Sequence, residues 1–326
     1  MLILFRELVD VKENVLVNID QELLSILLKD RTTNKNIIWA TDIYEDKGIN
    51  YSPNSQMTIN TITGLNGQVI KPRIKKSKKD QLIRSKEKGE VFTPSWICNE
   101  QNNLADDSWF GYSNVFNIPT NKGWITNKGK IKFPNSKTWV DYIKSNRLEI
   151  SCGEAPYLVS RYDTVSGKII DTNERIGLLD RKIRIINENV SSEYDWKYYV
   201  ELAYKSIYGY EWQGDSLLIA RENLLYTYID YYIERLKKEP SLEEMKNIAE
   251  IISWNIFQMD GLKYVIPNSC KNETIVNLTL FGEEKQKIEC EGCKKNNIHN
   301  HNGIYVKIKN WETNRNIKFI SLLKRK

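Results

Sequence analysis

The sequence predicts an α/β protein in which helices cover a parallel sheet. Between residues 137 and 272, short runs that favour strands alternate with longer amphipathic runs. Two of the strand-like runs, at 147–152 and Ile207–Glu211, are separated by two stretches with helical spacing. Neighbouring parallel strands need long crossover connections, usually helices, so this alternation indicates a parallel sheet.

The first 136 residues are expected to form an N-terminal extension. Apolar residues at a spacing of three or four predict an amphipathic helix near the start: Leu16, Ile19, Leu23, Leu24 and Leu27. KNIIWATD at 35–42 predicts a short strand that runs into a turn, and the polar residues 46–66 predict a loop. Residues 95–136 are rich in Asn, Trp and Gly and show little periodicity, so an irregular segment is expected there.

The elements predicted in the core, 137–272, follow in order. Helices are expected at 139–144, 175–187 and 196–206, and a long one follows the second strand through 217–233. Ser241 and Glu244 form a capping-box pattern that predicts a further helix to about 254. The tail, 273–326, carries three short strand-like runs: NETIVNLTLFG, GIYVKIKNW and IKFISLL.

Composition limits the class of protein. The chain has 326 residues, of which 40% are apolar and 28% charged, so it can bury a core. It has no apolar run of membrane-spanning length and no signal-peptide pattern, and we expect a cytoplasmic protein without a membrane partner. Five cysteines, an odd number, make a disulfide framework improbable. A net charge of +6 permits a nucleic-acid partner without requiring one.

The most informative motif is LEISCGEAPYL at 148–158. A strand with an acidic residue, Glu149, leads into a turn of small residues that includes Ser151, Gly153 and Ala155. Open α/β sheets bind ligands beyond the carboxyl ends of their strands, and a helix starting after this turn would favour an anionic group there. The alternative is an ordinary tight turn between a strand and a helix, and the motif alone does not exclude it.

Two further acidic residues extend this pattern. Glu211 ends the second predicted strand, and an acid at that position can hold ribose hydroxyls through bidentate hydrogen bonds. Asp260 follows a predicted helix in WNIFQMDGL, 254–262, where its carboxylate could accept from an adenine amino group. Together the three segments predict a nucleoside-type ligand at the sheet edge.

With GEVFTP at 89–94 ahead of them, these segments resemble adenine-specific DNA methyltransferases of restriction-modification systems, in particular short proteins called restriction endonuclease subunit M. The resemblance covers about residues 85–265. It implies a class I methyltransferase-like (Rossmann-like) fold that binds S-adenosylmethionine and transfers its methyl group to adenine N6 in DNA. The cofactor-binding positions it implies are Phe92, Thr93, Pro94, Glu149, Ser151, Cys152, Gly153, Ala155, Glu211 and Asp260. Ala155 stands where the family usually has glycine, and Tyr157 replaces a phenylalanine.

One departure from the family concerns catalysis. Its members carry an Asn- or Asp-Pro-Pro-Tyr or Phe tetrapeptide that holds the flipped target base. This chain has eight prolines and no two are adjacent, so the tetrapeptide is absent and no catalytic residue is assigned. A second polypeptide could supply that half of the site, a divergent loop could replace it, or the chain could be a non-catalytic DNA- or cofactor-binding or assembly subunit.

The tail contains a candidate metal site in CEGCKKNNIHNH, 290–301. Cys290 and Cys293 form a Cys-x-x-Cys pair, and both histidines of the chain, His299 and His301, follow within eight residues. Two thiolates at this spacing can approach one tetrahedral ion, so the pattern predicts a structural zinc site in a small zinc-stapled C-terminal segment. The alternative is a polar surface loop. Cys98, Cys152 and Cys270 are interpreted as isolated core or turn residues.

A basic run precedes GEVFTP, in KPRIKKSKKDQLIRSKEK at 71–88. Such a run can contact DNA phosphates without reading sequence. The residues expected to do so are Lys75, Lys76, Lys78, Lys79 and Arg84. A solvated helix face is the alternative interpretation, since charge runs usually are one.

Overall fold

The computed structural model describes residues 8–10, 13–279 and 282–323, with the backbone alone between 273 and 287. The helices of the described residues are α1 (Glu13–Ile19), α2 (Gln21–Leu28), α3 (Ile59–Ile62), α4 (Lys78–Glu87), α5 (Ser95–Phe110), α6 (Trp139–Lys144), α7 (Leu178–Asn189), α8 (Glu193–Lys205), α9 (Gly214–Leu236), α10 (Leu242–Asn255) and α11 (Glu291–Lys295). The strands are β1 (Asn117–Thr120), β2 (Gly123–Thr126), β3 (Arg147–Glu149), β4 (Ile207–Glu211), β5 (Ile256–Gln258), β6 (Glu273–Thr279), β7 (Gly282–Ile288), β8 (Lys307–Asn310) and β9 (Arg315–Lys318).

Three short parallel strands form the sheet that organises the molecule, in the order β3-β4-β5. Glu149 pairs with Gly209, and Glu211 pairs with Gln258. Helices α7 and α8 connect β3 to β4, and α9 and α10 connect β4 to β5. The predicted parallel sheet with helical crossovers is therefore confirmed. The remaining sheets are antiparallel hairpins, β1-β2, β6-β7 and β8-β9.

The long helix α9 runs through the middle of the core. Its residues are buried without a break from Gly214 to Tyr232. Several polar residues among them are bonded to neighbouring elements: Arg221 Nε donates to the carbonyl oxygen of Ile256 at 2.7 Å, and Asp230 pairs with Arg175 at 2.6 Å. Buried polar groups cost little when hydrogen-bonded, so this helix can tolerate burial on every side.

The hydrophobic core includes residues from both the N-terminal extension and the region after 137. Leu16, Leu24 and Trp39 are completely buried in the same cluster as Leu217 and Ile252. The predicted N-terminal helix is two helices, because the Asp20 side chain accepts from the backbone N–H groups of the first turn of α2 and starts a new helix there. The N-terminal segment thus forms part of the core.

The segment 95–136 is not irregular throughout, because its first part is the 16-residue helix α5. Its buried face is polar, which is why no apolar periodicity predicts it. Asn99 donates to Asn117 at 2.9 Å, and Arg181 of α7 donates to Asn99 at 2.9 Å and to Asp106 at 2.6 Å. Hydrogen bonds between amide and charged side chains therefore attach α5 to α7.

No helix begins after the small-residue turn at 151–155. The chain continues in turns and bends to Gly177, and the next helix is α7. The expectation that a helix N-terminus favours an anion at Gly153 is therefore wrong. Strand β5 was not predicted either, since its three residues merge with the end of α10 in the sequence pattern. Among the described residues, helices that combine the length and apolarity of a membrane span are absent.

Candidate functional site

A cleft of about 700 Å³ lies beyond the carboxyl ends of β3 and β4. Of the predicted cofactor-binding residues, seven line it: Phe92, Thr93, Glu149, Ser151, Cys152, Gly153 and Glu211. Pro94, Ala155 and Asp260 do not line it. Residues from five distant parts of the sequence, around 40, 90, 150, 211 and 268, therefore meet at one edge of the sheet, where parallel sheets usually bind ligands.

The floor of the cleft is fixed by the two strand-end acids. The Gly153 N–H donates to Glu211 at 2.9 Å, and the other carboxylate oxygen of Glu211 accepts from the N–H groups of Trp212 and Gln213. Glu149 accepts from the N–H groups of Tyr157 and Leu158, at 3.3 and 3.1 Å. Each carboxylate thus shapes the turn that follows β3.

The turn itself has an unusual backbone. Ser151, Gly153 and Ala155 all have a positive φ, of 47°, 53° and 63°. The same left-handed conformation occurs at Ala40 and Asn268, on other walls of the cleft. Left-handed residues other than glycine store strain, and such residues concentrate at functional sites. The backbone around the cleft therefore contains more left-handed residues than an ordinary tight turn between a strand and a helix requires.

Residues 89–93 of the GEVFTP segment form a wall of the cleft that contacts α9 through Glu90 and Ser216. Glu90 accepts from Arg84 at 2.7 Å, and Arg84 also pairs with Asp215 at 2.8 Å. Burial alone would lower the pKa of Arg84, but Asp215 and Glu90 outweigh it and raise that pKa. Burial would raise the pKa of Asp215, but Arg84 and Lys76 hold it below its usual value.

Arg84 is therefore not a DNA contact. Its side chain is 1% exposed and both its charged partners are internal, so the prediction that it meets phosphates is wrong. Lys76 is also turned inward, with a side chain that is 7% exposed and 3.3 Å from Asp215. The other three predicted contacts, Lys75, Lys78 and Lys79, are exposed. The basic run therefore has two parts: Lys76 and Arg84 are buried against Asp215, and the other three lysines face the solvent.

Burial changes the acidity of the cleft carboxyl groups. Desolvation raises the pKa of Glu149 well above its usual value and raises that of Glu211, although backbone N–H donors to each act in the opposite direction. Burial likewise raises the pKa of Glu154, which accepts from Tyr162 at 2.7 Å. A positive ligand in the cleft would favour the ionised form of all three groups.

The predicted residues outside the cleft have structural roles. Pro94 directly precedes α5, and its carbonyl oxygen accepts from Ile97 at 3.0 Å. Asp260 accepts from the N–H groups of Leu262 and Lys263, at 2.9 and 3.1 Å, and so closes the turn after β5. Ala155 is completely buried behind the turn.

Other cleft residues were not predicted as cofactor contacts from the sequence. Trp212 follows Glu211, and its indole N–H donates to the Ala40 carbonyl oxygen at 2.8 Å, which fixes the ring in the wall. Asp42 and Asn268 line the cleft from segments far away in the sequence. The sequence offered one signal for these residues, a Trp directly after a strand-end acid, because a large ring there can stack on a planar ligand.

A second site lies between the end of the core and the tail, where Cys270, Cys290, Cys293 and His301 bring their ligand atoms within 4.8 Å of one another. His301 Nδ1 is 3.7, 3.7 and 3.6 Å from the three sulfur atoms, in that order. A tetrahedral zinc ion with ordinary Zn–S and Zn–N bonds separates sulfur and nitrogen ligands by about 3.6 Å. This Cys₃His cluster, as we call it, could therefore hold a metal ion.

The cluster corrects one predicted ligand. His299 is exposed and is not part of it, because the turn after α11 directs only His301 to the cysteines. Cys270, interpreted as isolated, takes the fourth position. Burial would raise the pKa of the Cys290 thiol, but hydrogen bonds from the Asn302 backbone and from Cys293 lower it to about 6. A thiolate is the form that binds metal.

The chain matches no protein-family model, no curated protein and no solved structure. The geometry of the two sites therefore carries the functional argument.

Proposed function

We propose that the cleft binds S-adenosylmethionine and that the protein is the cofactor-binding part of a DNA adenine-N6 methyltransferase, the modification subunit of a restriction-modification system. The observation that supports this proposal best is the hydrogen bond between Gly153 and Glu211, just beyond the carboxyl ends of two parallel strands. It joins the glycine turn and the strand-end acid into one binding surface. On this proposal, the three-stranded sheet is the core of a class I methyltransferase-like, Rossmann-like fold.

The charge of the cleft suits this cofactor. Its lining includes five acidic residues and one basic residue: Asp42, Glu90, Glu149, Glu154, Glu211 and Lys88. S-adenosylmethionine carries a sulfonium, an ammonium and a carboxylate group and so has a net positive charge, whereas nucleotides such as ATP carry several negative charges. The acidic lining therefore favours the methyl donor over a nucleoside triphosphate.

The residues of the chain would act mainly by binding and alignment. Glu211 would accept from the ribose hydroxyls, and the Trp212 ring would pack against the adenine. Phe92 and Thr93 would line the methionine end, beside Gly153. When bound, the cofactor supplies an activated methyl group that an amine can attack directly, so holding the two reactants in line is the principal requirement.

The exposed part of the basic run supports a DNA partner. Lys78 and Lys79 are exposed in the first turn of α4, and Lys75 is exposed just before it. Arg84 of the same helix pairs with Glu90 in the cleft wall. DNA held by these lysines would lie near the cofactor. Three phosphate contacts give weak binding that decreases as salt rises, with a slope of about −2.7 in log K against log salt.

The runner-up function is a non-catalytic DNA- or cofactor-binding or assembly subunit. The absence of any Pro-Pro pair favours it, because the usual adenine-holding tetrapeptide cannot form. A second polypeptide could complete the target-base half. We further propose that the Cys₃His cluster holds a structural zinc ion, because its four ligands leave no open position for chemistry.

The test combines calorimetric titration with a labelled-methyl assay. The isolated chain should bind S-adenosylmethionine or its demethylated product measurably, and transfer methyl groups to duplex DNA near background. Binding with steady transfer would remove the runner-up function. Absence of heat and of any thermal shift at millimolar cofactor would overturn the methyltransferase proposal.

A further inference from the structure

One segment connects the cleft to the Cys₃His cluster. It runs from Met259, whose N–H donates to the carbonyl oxygen of Glu211 at 3.0 Å, to the ligand Cys270. Between these ends, a turn closed by Asp260 reverses the chain. The segment 259–270 is therefore attached to the strand-end acid at one end and to the metal ligands at the other.

Asn268 is the point of this segment that reaches the cleft. It lines the cleft wall and is exposed, with a φ of 59°. It lies two residues before Cys270. Because the chain cannot move far over two residues, the position of the cysteine limits the position of the asparagine.

Close packing near the Cys₃His cluster also limits where this segment can lie. A Cβ atom at Gly303 would lie 2.7 Å from Ser269 Oγ and 2.9 Å from Cys270 Sγ, so the chain just after His301 passes directly against the segment. Ser269 Oγ also accepts from the N–H of Ile304 at 3.0 Å. Two further hydrogen bonds join the same stretches of chain: the Ile266 N–H donates to the carbonyl oxygen of Ile304 at 2.8 Å, and the Lys271 N–H donates to Asn302 at 3.1 Å. The three sulfur atoms and the imidazole add contacts at Cys270 that are weak without an ion.

We propose that a metal ion in the Cys₃His cluster positions Asn268 as a ligand-contacting residue of the cleft, so that metal and cleft ligand bind cooperatively. The carboxamide carries both a donor and an acceptor, which suits a polar edge of a nucleoside or the polar end of an amino acid. The choice of S-adenosylmethionine as the probe rests on the proposed function. By linkage, each ligand strengthens binding of the other by the same factor.

The experiment measures two independent quantities on the full chain. Hydrogen exchange of segment 259–270 is followed with zinc bound and after chelation. Affinity for S-adenosylmethionine is measured in both metal states, for the wild type and for Asn268→Gly. Glycine keeps the left-handed backbone and removes only the carboxamide. Asn114→Gly is the matched control, because Asn114 has a φ of 60° and is exposed outside the cleft.

We expect zinc to slow exchange in the segment and to tighten cofactor binding about tenfold, within the usual range of coupling between sites. Asn268→Gly should lose about tenfold in affinity with zinc, and chelation should weaken it little further. Asn114→Gly should behave as the wild type does. Equal exchange with and without zinc overturns the inference, whether or not the cofactor binds.

The cofactor measurements separate this inference from the proposed function. If Asn268→Gly binds the cofactor as tightly as the wild type does in both metal states, Asn268 has no role in binding. The proposed cofactor site is not affected by that result. Failure of the zinc-loaded wild type to bind overturns the proposed function and the role of Asn268 as a cofactor contact. The exchange measurement then still decides whether the metal orders the segment.

Discussion

Glu211 accepts a hydrogen bond from the backbone N–H of Gly153 at 2.9 Å, across the ends of two neighbouring parallel strands. This bond couples the acid that would hold a ribose to the turn that would approach the rest of the ligand. A change at either residue should therefore alter the whole cleft floor.

Glu211→Ala should weaken S-adenosylmethionine binding by about 1.5–3 kcal/mol, because a charge-assisted hydrogen bond is lost. Calorimetric titration measures the change. Glu201→Ala is the control, since Glu201 lies on α8 in an i,i+4 pair with Lys205 outside the cleft. An unchanged affinity in Glu211→Ala would contradict the assigned role.

Cofactor affinity should rise with pH. Burial raises the pKa of Glu211 and of Glu149 in the free protein, and a bound cation would lower both values. The complex therefore releases protons as it forms, and affinity increases as pH rises above about 4.5 through the free-protein pKa values. Titration in buffers of different ionisation heat should detect the released protons; uptake of protons would be the contrary result.

Zinc should be retained at about one ion per chain by the wild type and by His299→Ala. Cys270→Ser and Cys290→Ser should each lose most of the metal, because each removes a thiolate from the Cys₃His cluster. Elemental analysis of protein purified without chelator distinguishes this set from the one expected from sequence. Loss of zinc from His299→Ala and its retention by Cys270→Ser would instead support the ligand set expected from the sequence, which has His299 in place of Cys270.

Arg84→Ala should lower the free energy of unfolding by about 3–5 kcal/mol, because it leaves Asp215 buried and without its closest cation. Lys79→Ala, on the exposed face of the same helix, should change it by less than about 0.5 kcal/mol. Urea unfolding measures both. Similar small effects would show that the buried pair contributes little to folding.

Ala155→Gly should be close to neutral for stability. Relief of the left-handed conformation, about 1–2 kcal/mol, offsets the loss of a buried methyl group and the added chain entropy. Ala203→Gly is the matched control, since Ala203 is equally buried but lies in α8. It should cost about 1.5 kcal/mol or more by thermal or urea unfolding. Equal losses in the two variants would count against strain at Ala155.

The sequence predicts two of the three strands of the parallel sheet because their signals are local. The strand that ends at Glu211 and the capping box at Ser241 depend on neighbouring residues, and both are confirmed. Glu149 and Glu211 meet in the cleft for the same reason, since parallel strands end at a common edge, whereas Phe92 and Thr93 were expected there only from the family resemblance.

Features that depend on distant partners could not be predicted in this way. Helix α5 buries amides that bond to α7 rather than an apolar stripe, so periodicity does not reveal it. Cys270 joins ligands that lie 20 or more residues further along the chain. Arg84 resembles its basic neighbours in sequence, and only the position of Asp215 on α9 makes it internal.

The N-terminal region contacts β5 and β8. Thr32 Oγ1 accepts from the N–H of Lys307 at 2.9 Å, and the Ile38 N–H donates to Gln258 at 2.9 Å. During synthesis, residues 32–38 must therefore wait for partners made more than 200 residues later. Non-local contacts of this kind slow folding and prolong the exposure of apolar surface. We expect the nascent chain to depend on chaperones until the tail has left the ribosome.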